Sequence, residues 1–261
     1  MARYILGKKQ TARNEDFADV WKSIGDFLSF EEADALVNEA ADYVRRVTAG
    51  KRVGYGWSGG KDSLALQVVM ERAGEYPSVL CVASELEYPR LLAWYKAHAP
   101  KGCRILDNPK LTMSWLAEHQ GLMFPADSDI TDGWYGRVQR AGWKRFYDEA
   151  QLDILCLGKR LADGNFVGKN GQDVYRSANG CNLFNPIARW KHEDVMAVVH
   201  YFKGGQLPEF YYQKDGFVKG TGLWCVRDKS WQEVYDTDPS VVESAAHYFA
   251  SAAEFLRTKE Q

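Results

Sequence analysis

Apolar residues in the first half of the chain recur with two spacings, one typical of helices and one typical of strands. Between residues 36 and 47 they recur every three or four positions, which predicts a helix with one buried face. Ser29 is placed to cap this helix, with Glu31 and Glu32 in its first turn. Gly50 follows its end. Short apolar runs predict strands at 52–57, 79–83, 103–106 and 152–157.

Helical segments separate the predicted strands. They lie at 64–70, 90–98, 112–120 and 135–151. Because strands joined by helices pair in parallel through right-handed crossovers, the alternation predicts a doubly wound α/β domain whose sheet is covered on both faces. Residues 161–180, rich in Gly, Asn and Asp, predict loops and a hairpin. Two further helices are predicted, one around 195–202 and one from Pro239 to Leu256.

The composition is that of a globular protein. Of 261 residues, 46% are hydrophobic and 26% are charged, and 33 basic against 35 acidic side chains leave a net charge of −2. This near balance excludes a strongly basic nucleic-acid coat protein but leaves room for local basic sites. No stretch approaches the ~20 apolar residues of a membrane span, and the first residues lack the apolar core of a signal peptide. Five scattered cysteines without a C-x-x-C pair indicate reduced thiols, so a cytoplasmic protein without membrane contact is expected.

The turn between the first predicted strand and its helix has the sequence S-G-G-K-D-S at 58–63. A glycine turn in this setting presents backbone N–H groups and the positive end of a helix, which suits a di- or triphosphate. Lys61 adds a positive charge, the glycines admit an anion closely and the serines supply hydroxyls. The P-loop of kinases requires G-x-x-x-x-G-K-[ST]. This turn does not match that motif, because Tyr55 stands at the position of the first glycine and Asp62 at that of the Ser or Thr. The predicted phosphate-binding residues of the turn are Ser58, Gly59, Gly60, Lys61, Asp62 and Ser63.

The residues of this turn resemble the PP-loop, S-G-G-x-D-S, of the adenine-nucleotide α-hydrolase superfamily. Further stretches are similar to motifs of one group in that superfamily, the phosphoadenosine phosphosulfate (PAPS) reductases. They are L-E-Y-P at 86–89, G-K-R at 158–160, N-P-I-A-R-W-K-H-E-D-V at 185–195 and L-P-E-F-Y-Y-Q-K-D-G at 207–216. The matches span about residues 50–226 in the expected order, so the chain resembles the PAPS reductase family.

This resemblance implies a mainly parallel five-stranded sheet of the HUP type, which binds an adenine nucleotide at the carboxyl edge of its strands. It divides the chain into a PP-loop nucleotide-binding domain at 50–226, an N-terminal arm and helix at 1–49 that pack on it, and a C-terminal helical extension at 227–261. The implied nucleotide is ATP, or adenosine phosphosulfate (APS) or PAPS, with Mg²⁺ as its metal and no direct metal-ligand motif. Lys61, Asp62 and Arg160 are the predicted catalytic residues, and Arg160 is also predicted to bind phosphate.

Departures from the PAPS reductase pattern narrow what the resemblance implies. Ala83 stands where the group has an aspartate, which leaves Glu85 and Glu87 as the carboxylates for a ribose, adenine or metal contact. No cysteine follows Cys225, so the C-terminal E-C-G-[LI]-H motif of the reductases is missing. The paired cysteines of the iron–sulfur members are absent as well, and no iron–sulfur cluster is expected.

Basic residues cluster on the helix predicted at 135–151. Arg137, Arg140 and Lys144 fall within about 60° of one another around the helix axis and form a positive ridge. The ridge has two interpretations. It is either a site for a second anion or for nucleic acid, or a solvated helix face.

Other polar residues are predicted to support structure. Asp194 lies near a predicted helix start and is expected to cap it. The histidines show no metal-ligand spacing and are predicted to be surface or packing residues: His98, His119, His192, His200 and His247.

The leading interpretation is an enzyme that cleaves ATP at its α-phosphate. An acceptor oxygen would attack the α-phosphorus and pyrophosphate would leave, with the turn, Lys61 and Arg160 neutralising charge. The acceptor is left open between a small oxyanion and a base in nucleic acid. Two alternatives stand beside this interpretation: thiol-dependent reduction of PAPS, and a non-catalytic nucleotide-binding regulator or subunit that works with a partner protein.

Overall fold

The computed structural model of the chain describes residues 4–9, 11–124, 133–169, 172–213, 215–219, 223–224 and 230–259. Its strands are β1 (Val53–Gly56), β2 (Ser78–Val82), β3 (Arg104–Asp107), β4 (Ile154–Cys156), β5 (Val174–Arg176) and β6 (Asn182–Phe184). Its α-helices are α1 (Asn14–Lys22), α2 (Ile24–Phe27), α3 (Phe30–Val47), α4 (Lys61–Ala73), α5 (Pro89–His98), α6 (Met113–Glu118), α7 (Ala141–Glu149), α8 (His192–Phe202), α9 (Gly216–Lys219), α10 (Trp231–Thr237), α11 (Pro239–Ala245) and α12 (Ala250–Lys259). A π-helical turn, Gly136–Arg140, precedes α7.

The strands form one sheet in the order β3-β2-β1-β4-β6-β5. β1 runs parallel to β2 and to β4, and β4 runs parallel to β6. This confirms the prediction of a doubly wound, mainly parallel sheet flanked by helices. The sheet has six strands where five were predicted, because β5 pairs antiparallel with β6 as an edge hairpin. The hairpin turns at 177–181, at the end of the segment where one was predicted.

β1 lies in the middle of the sheet and is buried along its whole length. A Cβ on Gly54 would lie 2.9 Å from side-chain atoms of Leu152 and Phe146. A Cβ on Gly56 would lie 2.8 Å from the side chain of Leu157. Larger residues at these positions would therefore push their neighbours away from the strand. α4 follows β1 and is buried over most of its length, as the nearly all-apolar run at 64–70 predicts.

α3 is the helix predicted from the first apolar stripe. Ser29 Oγ accepts a hydrogen bond from the Glu32 N–H at 3.2 Å, and the Glu32 carboxylate accepts one from the Ser29 N–H at 2.9 Å. This capping box fixes the start of the helix. α3 packs against α4 and α8, and α8 also packs against α4. The buried face of α3 consists of Ala33, Val37, Ala40, Ala41 and Val44.

The C-terminal helices differ from the prediction. The single helix predicted from Pro239 to Leu256 is wrong, because α11 and α12 are separate and the chain turns between them at 246–249. The turn sets Phe249 in a buried aromatic group, with ring centroids 6.1 Å from Trp224 and 5.9 Å from Trp231. Packing of this ring overrides the continuous apolar periodicity of the segment.

The chain forms two compact units. The first comprises residues 1–80, 98–105 and 143–220, and the second comprises residues 81–97, 106–142 and 221–261. The domain boundaries predicted at residues 49 and 226 stay a prediction. Within the described ranges, every helix is too short or too polar to cross a membrane.

Candidate active site

The turn at 58–63 joins β1 to α4 in the first unit. Gly59 has a φ of +67°, in the left-handed region that favours glycine, and Gly60 is the N-cap of α4. The Ser58 N–H donates to Ser63 Oγ at 3.1 Å, and the Ser63 hydroxyl donates to the Gly60 carbonyl at 2.9 Å. The serines therefore close the turn, which lies at the positive end of α4.

The turn lies at the topological switch point of the sheet. β2 flanks β1 on one side and β4 flanks it on the other, so the carboxyl ends of β1 and β4 border a crevice of the kind that binds ligands in open α/β sheets. The G-K-R element at 158–160 follows β4 at this edge. A Cβ on Gly158 would lie 2.9 Å from the Asp62 carbonyl oxygen, so this glycine allows the two segments to meet.

Charged side chains from these two segments form a buried ionic group. Arg160 Nη2 lies 2.7 Å from Asp62 Oδ1 and 2.9 Å from Asp163 Oδ2. Lys61 Nζ lies 2.8 Å from Asp62 Oδ2 and 4.0 Å from Asp163 Oδ1. The side chains of Arg160 and Lys61 are 0% and 3% exposed, whereas that of Asp62 is 29% exposed. Of these three side chains, that of Asp62 is thus the most accessible to solvent.

A histidine and a tyrosine adjoin these charges. Arg160 Nη2 lies 3.1 Å from His192 Nδ1, and Arg160 Nη1 donates to the Trp190 carbonyl at 3.2 Å. The Tyr211 hydroxyl accepts a hydrogen bond from the Lys61 backbone N–H at 3.0 Å. We name the following set the Arg160 cluster: Lys61, Asp62, Arg160, Asp163 and His192.

The structure brings together the three residues predicted to be catalytic, Lys61, Asp62 and Arg160. Their part in binding and catalysis stays a prediction. Sequence patterns assigned no place in the site to its neighbours Asp163, His192 and Tyr211. His192, predicted to be a surface or packing residue, is buried beside Arg160. His192 and Tyr211 lie in the motif-like stretches at 185–195 and 207–216. These stretches supported the family resemblance but did not assign a role to either side chain.

The Arg160 cluster shifts the protonation of its members. Burial would raise the pKa of Asp62, but the charges of Arg160 and Lys61 outweigh it and hold that pKa well below its usual range. Burial lowers the pKa of Lys61, against the opposing charge of Asp62. Burial, with the charges of Arg160 and Lys61, lowers the pKa of His192 to about 3. The site therefore holds an ionised Asp62 and a neutral His192 at pH 7, and such perturbed groups are typical of functional sites.

His192 makes the stability of the protein depend on pH in a defined direction. Its pKa is about 3 when folded and 6.5 as an unperturbed group, so between these values only the unfolded chain binds the proton. The free energy of unfolding should therefore fall as the pH drops below about 6.5, by up to about 1.4 kcal/mol per pH unit. The variant His192→Gln should lack this contribution to the pH dependence of the free energy of unfolding. Urea unfolding of both proteins across the acidic range measures it, and identical slopes would contradict the assignment.

Glu85 and Glu87 lie in the second unit. The Glu85 carboxylate accepts a hydrogen bond from the Met113 N–H at 2.8 Å, at the first residue of α6. Burial raises the pKa of Glu87 to about 8, so this side chain is largely protonated at neutral pH. The predicted ribose, adenine or metal contact of these residues stays a prediction.

The residues of the predicted basic ridge have aromatic or acidic neighbours. In the second unit, the Arg137 guanidinium lies over the ring of Trp115, 6.0 Å from its centroid, and that of Arg140 lies over Tyr135 at 4.9 Å. In the first unit, Lys144 pairs with Asp148 one helical turn later. The prediction of a second anion site or nucleic-acid site at these residues stays a prediction.

The described cysteines are poor nucleophiles. Cys81, Cys156 and Cys181 are buried and Cys103 is partly buried. Burial raises the pKa of Cys103, Cys156 and Cys181, which lowers the fraction of the reactive thiolate. Cys225 lies outside the described residues. Among the residues that the structure describes, no group of three or more His, Cys, Asp or Glu side chains is placed to hold a metal ion.

Fold and site define an α/β protein with a PP-loop-like turn at the switch point of a mainly parallel sheet. No protein-family model matches the chain. A DNA ligase from Acidithiobacillus ferrooxidans, found in two strains, is 25% identical over 204 residues, which cover 70% of this chain but 28% of the ligase.

Solved structures that align with the chain include two enzymes from Candida species. PAPS reductase from Candida auris, in a phosphate complex, aligns with a TM-score of 0.48 and 16% identity over 70% of this chain and 90% of its own. FMN adenylyltransferase from Candida glabrata, in complex with FAD and inorganic pyrophosphate, aligns with a TM-score of 0.45 and 10% identity over 78% of this chain and 69% of its own. A PAPS reductase is thus among the solved structures to which the chain is similar.

Proposed function

We propose that the protein is an enzyme that binds ATP and transfers its adenylyl group to an acceptor, with release of pyrophosphate. One observation carries the proposal. The glycine turn after β1 and the arginine after β4 meet at the switch point, where Arg160 Nη2 lies 2.7 Å from Asp62 Oδ1. Ligands of open α/β sheets bind at this place, and helix-start backbone N–H groups with a lysine and an arginine suit a polyphosphate.

The Arg160 cluster supplies the charges that the reaction needs. Lys61 and Arg160 are opposed by Asp62 and Asp163, so these charges balance formally. Phosphate oxygens that arrive past the partly exposed Asp62 compete with the carboxylates for both cations. The acceptor oxygen then forms a bond to the α-phosphorus while the bond from the α-phosphorus to the bridging oxygen breaks and pyrophosphate leaves. Lys61 and Arg160 stabilise the charge that develops on the leaving group.

The carboxylates of the cluster do not form an open magnesium site by themselves. Asp62 Oδ1 and Asp163 Oδ2 lie 2.7 and 2.9 Å from Arg160 Nη2, so a guanidinium occupies the place on which these oxygens converge. Mg²⁺ is commonly held by one or two carboxylates together with substrate phosphates. Asp62, whose side chain is 29% exposed, would be the carboxylate open to a Mg²⁺ that arrives with ATP, and the ion would neutralise charge on the pyrophosphate.

The products of ATP cleavage test the proposal. Purified protein is incubated with Mg²⁺ and ATP labelled at the α-phosphate, with small oxyanions and single-stranded nucleic acid offered as acceptors. We expect pyrophosphate to appear together with labelled adenylate on an acceptor or as AMP. ADP with inorganic phosphate would overturn the proposal, because it reports cleavage at the wrong bond.

Two other outcomes would replace the proposal by its alternatives. Release of sulfite from PAPS in the presence of thioredoxin would establish the reductase, which the buried thiols disfavour. ATP binding without any turnover, with acceptors and candidate partner proteins present, would establish a nucleotide-binding regulator.

A further inference from the structure

The segment at residues 4–9, here named the arm segment, is tied to the first unit beside the Arg160 cluster. The Lys9 N–H donates to the Ala162 carbonyl at 3.1 Å, and Ala162 immediately precedes Asp163. The N–H groups of Ile5 and Leu6 both donate to Glu193 Oε1, at 2.9 and 2.8 Å. Glu193 immediately follows His192 in the chain. The arm segment is therefore anchored at two residues that are sequence neighbours of cluster members, Ala162 and Glu193.

The arm segment is anchored to a buried carboxylate, that of Glu193. Glu193 is 0% exposed, and a buried carboxylate is costly unless hydrogen bonds compensate it. The arm segment supplies two such hydrogen bonds from consecutive backbone N–H groups. The Tyr4 hydroxyl adds a third contact, donating to Asp194 Oδ1 at 2.8 Å. Burial of Glu193 and docking of the arm segment thus depend on each other.

The arm segment brings a third positive charge to the cluster. Lys9 is half-buried, whereas the neighbouring Lys8 is exposed. Burial and the charges of Arg160 and Lys61 lower the pKa of His192, and the charge of Lys9 acts on it in the same direction. The hydrogen bond from the Lys9 N–H to the Ala162 carbonyl holds this residue next to Asp163, in line with the effect of its charge on His192. When Lys9 is counted with Lys61 and Arg160 against Asp62 and Asp163, the formal charge of these groups is +1, which favours an anion.

We propose that Lys9 is a further binding residue of the anion site, which the docked arm segment holds in place to contact a polyphosphate such as pyrophosphate or the β- and γ-phosphates of a nucleotide. The inference rests on the proposed function, because it assigns a residue to the same phosphate site. It also gives the N-terminal arm a role in ligand binding.

Pyrophosphate binding measured by calorimetry tests the inference with a matched pair of variants. Lys9→Ala and Lys8→Ala remove the same charge from adjacent positions, so their difference isolates the local contact from the overall field. We expect Lys9→Ala to raise the Kd for pyrophosphate about tenfold, the effect of losing one charge-assisted contact. Lys8→Ala should change it by less than about twofold, as for an exposed charge. Lys9→Arg should retain binding, because it keeps a positive charge in the same place.

The outcomes separate this inference from the proposed function. Equal affinities of Lys9→Ala, Lys8→Ala and the unmodified protein, with pyrophosphate still bound, would overturn the role of Lys9 and leave the proposed function standing. Failure of the unmodified protein to bind pyrophosphate or ATP would overturn both. Unchanged thermal unfolding of Lys9→Ala would show that the loss of binding does not come from misfolding.

Discussion

Replacing Lys61 with alanine is expected to raise the Kd for pyrophosphate and for ATP about 100-fold. Lys61 lies in the first turn of α4, and its ammonium is 2.8 Å from Asp62 Oδ2 and 4.0 Å from Asp163 Oδ1. Without it, Arg160 would be the remaining cation of the Arg160 cluster beside two carboxylates, so the cluster would carry a formal charge of −1. The variant thus loses a contact and also presents excess negative charge to an anion. Calorimetric titration measures the affinity.

Two further variants make the Lys61 experiment specific. Lys51→Ala removes an exposed lysine of the same unit and is expected to leave the affinity unchanged. Lys61→Ala combined with Asp62→Asn restores the charge balance within the Arg160 cluster, which then holds one positive and one negative group, Arg160 and Asp163. We expect the double variant to regain part of the lost affinity. If Lys61→Ala alone bound pyrophosphate with full affinity, the assignment of the phosphate site to this turn would be wrong.

Much of this architecture follows from local patterns along the chain. The capping box of Ser29 and Glu32 starts α3 as an N-cap and a first-turn acid predict. Asp194 caps α8 as expected, its carboxylate accepting from the Lys191 N–H at 2.8 Å. The PP-loop pattern lies on the predicted strand, turn and helix. Such features depend on residues within one or two turns of each other, and for this reason they are readable from the chain alone.

The remainder of the site depends on residues that are distant in the chain. Tyr211 meets the Lys61 backbone across 150 residues, and Arg160 meets His192 across 32. No periodicity or short motif encodes such contacts. The π-helical turn at 136–140 and the break between α11 and α12 also escape periodicity, because tertiary packing decides them. Sequence patterns thus singled out Lys61, Asp62 and Arg160 but not the residues from other segments that contact them.

Replacing Arg160 with methionine is expected to destabilise the protein by about 3–5 kcal/mol. The Arg160 side chain is 0% exposed, and its guanidinium contacts Asp62, Asp163 and the Trp190 carbonyl. Methionine keeps much of the side-chain volume but leaves the carboxylates with Lys61 as their remaining cation in the cluster. Breaking a buried ion pair from one side leaves uncompensated charge, which is the reason for the large effect. Equilibrium unfolding in urea measures the change.

Arg52 provides the control for Arg160→Met, because it lies at the opposite ends of the same two strands, β1 and β4. Arg52 precedes β1 and pairs at 3.2 Å with Asp153, which precedes β4, and the side chains are 59% and 39% exposed. Arg52→Met removes the same charge from the same pair of strands, but water solvates the carboxylate that remains. We expect it to cost about 1 kcal/mol or less. Similar costs for Arg52→Met and Arg160→Met would contradict the account of Arg160 as a buried ionic centre.

Removing a carboxylate together with Arg160 tests the cause of that instability. Asp163 is 11% exposed and lies 2.9 Å from Arg160 Nη2, so it is the carboxylate that burial penalises most when the arginine is lost. Asp163→Leu added to Arg160→Met should restore part of the lost free energy of unfolding, because it removes the unpaired charge. Strict additivity of the two substitutions would mean that the instability comes from lost packing. A restored stability without restored ATP binding would separate the structural part of Arg160 from its part in binding phosphate.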